Sequence, residues 1–102
     1  MIVNKPKIER YDVTDFLDDE EDVLAYLNAA FEDGHADVVA QAIGNVARAR
    51  GMSRIAKRCR LGRESLYKSL SDRGNPEFRT ILSVLNAMGI RLRVEFDHNE
   101  RP

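Results

Sequence analysis

Between positions 18 and 97, apolar residues recur mostly three and four apart, the pattern of helices that bury one face. Val23, Leu24, Leu27, Ala30 and Phe31 form the first such stripe and predict an amphipathic helix over about 19–33. Asp18 and Asp19 stand before it as N-caps, and Glu20, Glu21 and Asp22 suit the positive end of its dipole. Glu32-Asp33-Gly34 ends it, and His35, between Gly34 and Ala36, is expected on a surface loop. A second helix is predicted over 37–50, with Val39, Ala42, Ile43, Val46 and Ala47 inward and Gly51 as its stop. Gly44, inside that helix, costs on the order of 1 kcal/mol relative to alanine. A close contact with another helix would explain its presence.

The next stretch is shorter and denser. Ser53 caps a helix over about 54–60 with Ile55, Ala56 and Cys59 inward. Leu61-Gly62 makes a tight connection, and a helix starting near Arg63 puts Leu66 and Leu70 on one face. Asp72-Arg73-Gly74-Asn75-Pro76 reads as a loop, with Asn75 as cap and Pro76 at the first position of the following helix. Phe78, Ile81, Leu82, Leu85 and Met88 give that helix a core stripe, closed by Gly89. Then the period changes: Ile90, Leu92, Val94 and Phe96 alternate with Arg91, Arg93, Glu95 and Asp97, which predicts one half-buried strand. The expected fold is mainly α, about five helices and one C-terminal β-strand in a single domain over 18–97. An N-terminal arm (1–17) and a disordered tail (98–102) flank it. A lone strand leaves an open edge. Pairing with its copy in a homodimer would close it; the alternative is the arm, where Ile2, Ile8 and Val13 supply a weak strand.

Composition narrows the classes further. A chain of 102 residues is one domain's worth. No run approaches the roughly 18 apolar residues of a membrane span, and the first six residues lack a signal-peptide core. One cysteine, Cys59, excludes an internal disulfide, and with only His35 and His98 beside it a metal centre is not expected. A cytoplasmic protein with no cofactor is the expectation. The formal charge of −1 conceals a division. Residues 1–47 hold three basic and eleven acidic side chains, a formal −8; residues 48–102 carry +7. Within 48–73, nine Lys and Arg face only Glu64 and Asp72. Such asymmetry points to two different partners or two different faces, against the simpler reading of an ordinary solvated surface.

The basic share surrounds the two short helices. Helices of seven or eight residues do not stand alone, and two of them across a tight connection fit a helix-turn-helix unit. Ala56 allows close approach, while Leu61 and Leu66 are expected to plug the space beneath. The second helix then presents Arg63, Glu64, Ser65, Tyr67 and Lys68 as candidates for DNA base contact. Arg54, Arg58, Arg60, Arg73 and Asn75 flank it as candidates for phosphate contact. The plainer alternative is a solvated amphipathic helix pair.

Several stretches resemble a known family. They are Ala25-Tyr26-Leu27-Asn28-Ala29-Ala30, the run Ile43-Gly44-Asn45-Val46-Ala47-Arg48-Ala49-Arg50-Gly51-Met52-Ser53, and Arg63-Glu64-Ser65-Leu66-Tyr67-Lys68-Ser69-Leu70 followed by Gly74-Asn75-Pro76. Over about 12–96 the chain resembles addiction-module antidotes, HigA-like antitoxins with an Xre-type, lambda-repressor-like helix-turn-helix. The resemblance implies a DNA-binding antitoxin that represses its own operon; with the strand-paired homodimer, the leading expectation is a palindromic double-stranded DNA operator. It also implies neutralisation of a small basic RelE/ParE-like toxin by direct binding. Such families usually carry Gly then Ser around the turn, whereas this chain has Arg60-Leu61-Gly62. A left-handed Arg60 would cost about 1–2 kcal/mol.

The acidic half then has a candidate role: Asp19, Glu20, Glu21 and Asp22 would face the cationic surface of the toxin. Equally, that helix could pack on the domain with its acidic face in water. Two further readings are a stand-alone prophage-type regulator without a toxin, and a toxin-sequestering module with weak DNA binding. Catalysis is not expected. The paired acids lie in an open run with nothing to separate their pKa values, and no glycine-rich phosphate loop occurs.

Overall fold

A computed structural model describes residues 19–71 and 75–98. The expected arm over 1–17, the loop residues Asp72, Arg73 and Gly74, and all of the tail after His98 lie outside the described residues. Among the described residues the helices are, in order, α1 (Glu20–Asp33), α2 (Ala36–Arg50), α3 (Met52–Cys59), α4 (Arg63–Ser69) and α5 (Phe78–Ala87).

Local chemistry sets most of the boundaries. Asp19 caps α1, its carboxylate accepting the Glu21 N–H at 2.9 Å. Gly34 ends the helix in the left-handed region (φ 84°), where a residue with a Cβ is strained. Exposed His35 opens α2; its Nδ1 lies 2.8 Å from the Asp33 carboxylate. That hydrogen bond raises the His35 pKa and lowers that of Asp33. Two helix starts differ from expectation. α3 begins at Met52 with Gly51 before it, not at Arg54 after a Ser53 cap, because the Met52 side chain is itself drawn into the core. α5 begins at Phe78 behind Glu77, so Pro76 precedes the helix instead of opening it.

One core runs through all five helices: Val23, Leu27 and Ala30 of α1, Ile43, Val46 and Ala47 of α2, Ile55 and Ala56 of α3, Leu66 of α4 with Leu70 after it, and Ile81, Val84 and Leu85 of α5. The close contact expected at Gly44 is with the end of α4: a Cβ there would stand 2.5 Å from the Leu70 carbonyl oxygen. Tyr26 is half-buried, and its hydroxyl accepts a hydrogen bond from Asn45 Nδ2 at 2.8 Å. Arg48 in turn donates to Asn45 Oδ1, so a polar chain ties α1 to α2.

Some positions expected inside are outside. Phe78 is 67% exposed at the first residue of α5, one turn ahead of the first buried residue, Ile81. Leu82 and Phe31 are exposed, and Leu24 is 50% exposed; Val84 fills the core instead of Leu82. Leu61 is exposed as well, and Leu66 and Leu70, both fully buried, join the core with Ile55 and Ala56 instead.

The C-terminal strand is corrected. Ile90 closes the domain, its N–H bonding the Leu85 carbonyl at 2.9 Å, and residues 90–97 then form neither helix nor strand. The reason is that a strand needs a neighbouring backbone, and none lies beside this segment among the described residues. It runs instead along a groove of about 500 Å³ against Leu24, Leu27, Asn28 and Phe31 of α1. Leu92 is exposed, as are Val94 (95%) and Phe96 (87%).

A candidate nucleic-acid interface

The α3–α4 pair is built around its turn. At the end of α3, Arg60 adopts the left-handed conformation (φ 59°, ψ 38°), the one described non-glycine residue with positive φ. Leu61 N–H reaches the Ala56 carbonyl at 3.0 Å and Arg60 N–H the Lys57 carbonyl at 3.2 Å. This double closure satisfies carbonyls that a helix end otherwise leaves open. Gly62 then precedes α4 in extended conformation, and its carbonyl accepts the Leu66 N–H at 3.0 Å.

α4 is held from below by Leu66 and Leu70, both fully buried. That anchoring leaves Arg63, Glu64, Ser65 and Lys68 exposed together, as the spacing predicted. Tyr67 differs: it is half-buried and packs against the core, with the Arg63 guanidinium 5.6 Å from its ring centroid. The ring therefore supports Arg63 more than it projects, a cation–π geometry that limits the rotamers of the arginine. At the end of the helix Ser69 and Ser71 donate to the Ser65 and Lys68 carbonyls at 3.0 and 2.9 Å.

The phosphate-contact candidates do not form one group. Arg60 and Asn75 are exposed; Arg73 lies outside the described residues. Arg58 donates from Nη1 to the Ala87 carbonyl at 3.0 Å, which places a cation at the C-terminal end of α5. Arg54 donates from Nη2 to the Arg50 carbonyl at 3.0 Å. Both line a cleft of about 290 Å³ with Arg50, Ile55, Met88 and Glu20. Arg50 belongs to this cluster and is not among the candidates the sequence offers. Its signal was present as the four-residue spacing of Arg50, Arg54 and Arg58, hidden by the glycine stop between the first two.

The acidic candidates separate in the same way. Asp19 is committed to capping, Glu20 stands by the arginine cleft, and Glu21 and Asp22 are exposed at the first turn of α1. Cys59 is half-buried and burial raises its pKa, which keeps it a thiol. Among the described residues, no helix is long and apolar enough to cross a membrane.

This chain is similar to other proteins over almost its whole length. Residues 7–96 match the family model described as "Probable addiction module antidote protein". An uncharacterized protein of Haemophilus influenzae is 37% identical over 89 residues, covering 87% of this chain and 92% of that protein. No solved structure matches.

Proposed function

The chain belongs to the family of probable addiction module antidotes, and from that premise we propose that it is an antitoxin of the HigA-like, Xre-type kind. On this reading it is a cytoplasmic protein that represses its own operon and binds a small basic RelE/ParE-like toxin. It acts by binding and carries out no catalysis. The observation that carries the DNA-binding part is the α3–turn–α4 unit. A buried Leu66 and Leu70 hold a helix whose outer face is Arg63, Glu64, Ser65 and Lys68, residue types that read base edges and grip phosphates. Arg63, braced by Tyr67, is the leading base contact, and Arg60 contributes to the backbone. Two copies would set their α4 helices in successive major grooves about 34–36 Å apart.

A gel-shift titration against the DNA upstream of its own gene tests the reading. The expected result is a salt-sensitive shift that R63A weakens by about 1–3 kcal/mol. No shift, or one that R63A leaves unchanged, overturns it. The toxin half is tested by co-purification with the product of the adjacent gene.

A further inference from the structure

The end of α2 stands between two clefts. One, of about 290 Å³, is lined by Arg50, Arg54 and Arg58; the other, of about 300 Å³, by Arg50, Arg91 and Arg93 beside the apolar Val23 and Leu24. They share Glu20, Arg50, Met88 and Gly89, so together they bring five guanidinium groups to a single carboxylate. Arg50, Arg54 and Arg58 form no ion pair among the described residues. A concave site lined by one sign of charge focuses the field and draws in the opposite charge.

Helix ends account for only part of this cluster. Arg54 donates to the Arg50 carbonyl at the end of α2, and Arg58 to the Ala87 carbonyl at the end of α5, both at 3.0 Å. Each bond occupies one of the guanidinium donors and steadies the rest of the fork. Arg50 differs: it is half-buried, and its guanidinium has no hydrogen-bond partner among the described residues. A partly desolvated cation without a partner calls for a counter-ion.

We propose that the joined clefts bind a small phosphorylated anion, with Arg50 at the centre of its phosphoryl groups. All five donors are arginines, whose planar forks match oxyanions through paired bonds. A carboxylate fills one fork, whereas linked phosphoryl groups present oxygens to several. The volumes lie at the small end of ligand pockets, about 300 Å³. Among the described residues no part of α4 lines either cleft, so the site is separate from the face read as contacting DNA and stands without that reading.

Isothermal titration calorimetry of the full chain with inorganic pyrophosphate, in about 0.1 M sodium chloride, is the test. The expected Kd is below about 1 mM, with a Tm that rises in pyrophosphate but not in sodium chloride of equal ionic strength. R50A should weaken binding at least about tenfold, and R50K, which keeps the charge but not the fork, should recover only part of it. E20Q should tighten binding several-fold by removing the opposing charge, an effect that lost packing would not produce. R63A should change nothing. Circular dichroism checks folding, and the exposed pair R54A/R93A gives the same loss should R50A fail to fold. ATP distinguishes the source: tighter binding than pyrophosphate assigns a nucleotide resting on Val23, Leu24 and Met88, and equal binding an inorganic polyphosphate. A Kd above about 10 mM, wild-type binding by R50A, or equal losses in R63A and R50A would overturn the site. Displacement of pyrophosphate by a short DNA duplex would also overturn it, by assigning these arginines to a nucleic-acid backbone.

Discussion

Arg60 carries two demands that oppose each other. Its backbone sits in the left-handed region that glycine occupies without penalty, while its exposed guanidinium lies at the turn before α4. Replacing it with glycine removes about 1–2 kcal/mol of backbone strain. The added freedom of the unfolded chain returns about 0.4–1 kcal/mol of that gain. R60G should therefore be more stable by about 0.5–1 kcal/mol, seen as a rise in Tm of a few degrees. On the proposed DNA-binding reading the same variant should bind operator DNA more weakly, with the salt dependence of binding reduced by about one unit of slope. The departure at the turn was visible in the sequence, and the positive φ of Arg60 is what that departure requires.

Gly44 shows how helices constrain one another. Its absent side chain lets α2 approach the end of α4 so closely that the Leu70 carbonyl oxygen lies 2.5 Å from where a Cβ would be. That oxygen belongs to the backbone of a fully buried residue and has nowhere to move. Alanine would gain about 1 kcal/mol of helix propensity against an overpacking penalty near the upper end of about 1–3 kcal/mol. G44A should thus lose about 1–2 kcal/mol, measured by thermal unfolding, and a neutral result would mean that α4 can shift. The periodicity located all five helices, and Gly34 and Gly51 ended two of them as expected. It misjudged Phe78, Leu82 and Leu61, because periodicity names the face that points inward and not the turn at which the neighbouring helix ends. The same limit applies to Tyr67, which shares the α4 helix with exposed Arg63 and Lys68 but lies partly over the core.

For the molecule entire, the two charge populations are arranged in space less simply than along the chain. The basic half does surround α3 and α4, yet Arg58 is turned to the C-terminal carbonyl of α5, and Arg54 shares a cleft with Glu20. Glu21 and Asp22 remain exposed at the start of α1. On the proposed reading they steer a basic toxin, so E20Q/E21Q/D22N should slow association several-fold and flatten its dependence on salt. Asp19 stays unchanged in that variant because it caps α1. Stopped-flow mixing with the toxin checks this; an association rate indifferent to the three charges would assign them to solubility and helix capping.

Near-neighbour chemistry along the chain was enough for the existence of the helices, the Asp19 cap of α1 and the glycine stops at Gly34 and Gly51, since each depends on residues a few positions apart. Which apolar residues become core, which arginines are occupied by carbonyls and whether the alternating C-terminal segment becomes a strand were decided by tertiary structure. Each depends on a partner distant in sequence: Ala87 for Arg58, Leu70 for Gly44. For residues 90–97 the alternation is present, but a ladder requires a second backbone, and a single copy of this chain offers none beside it among the described residues.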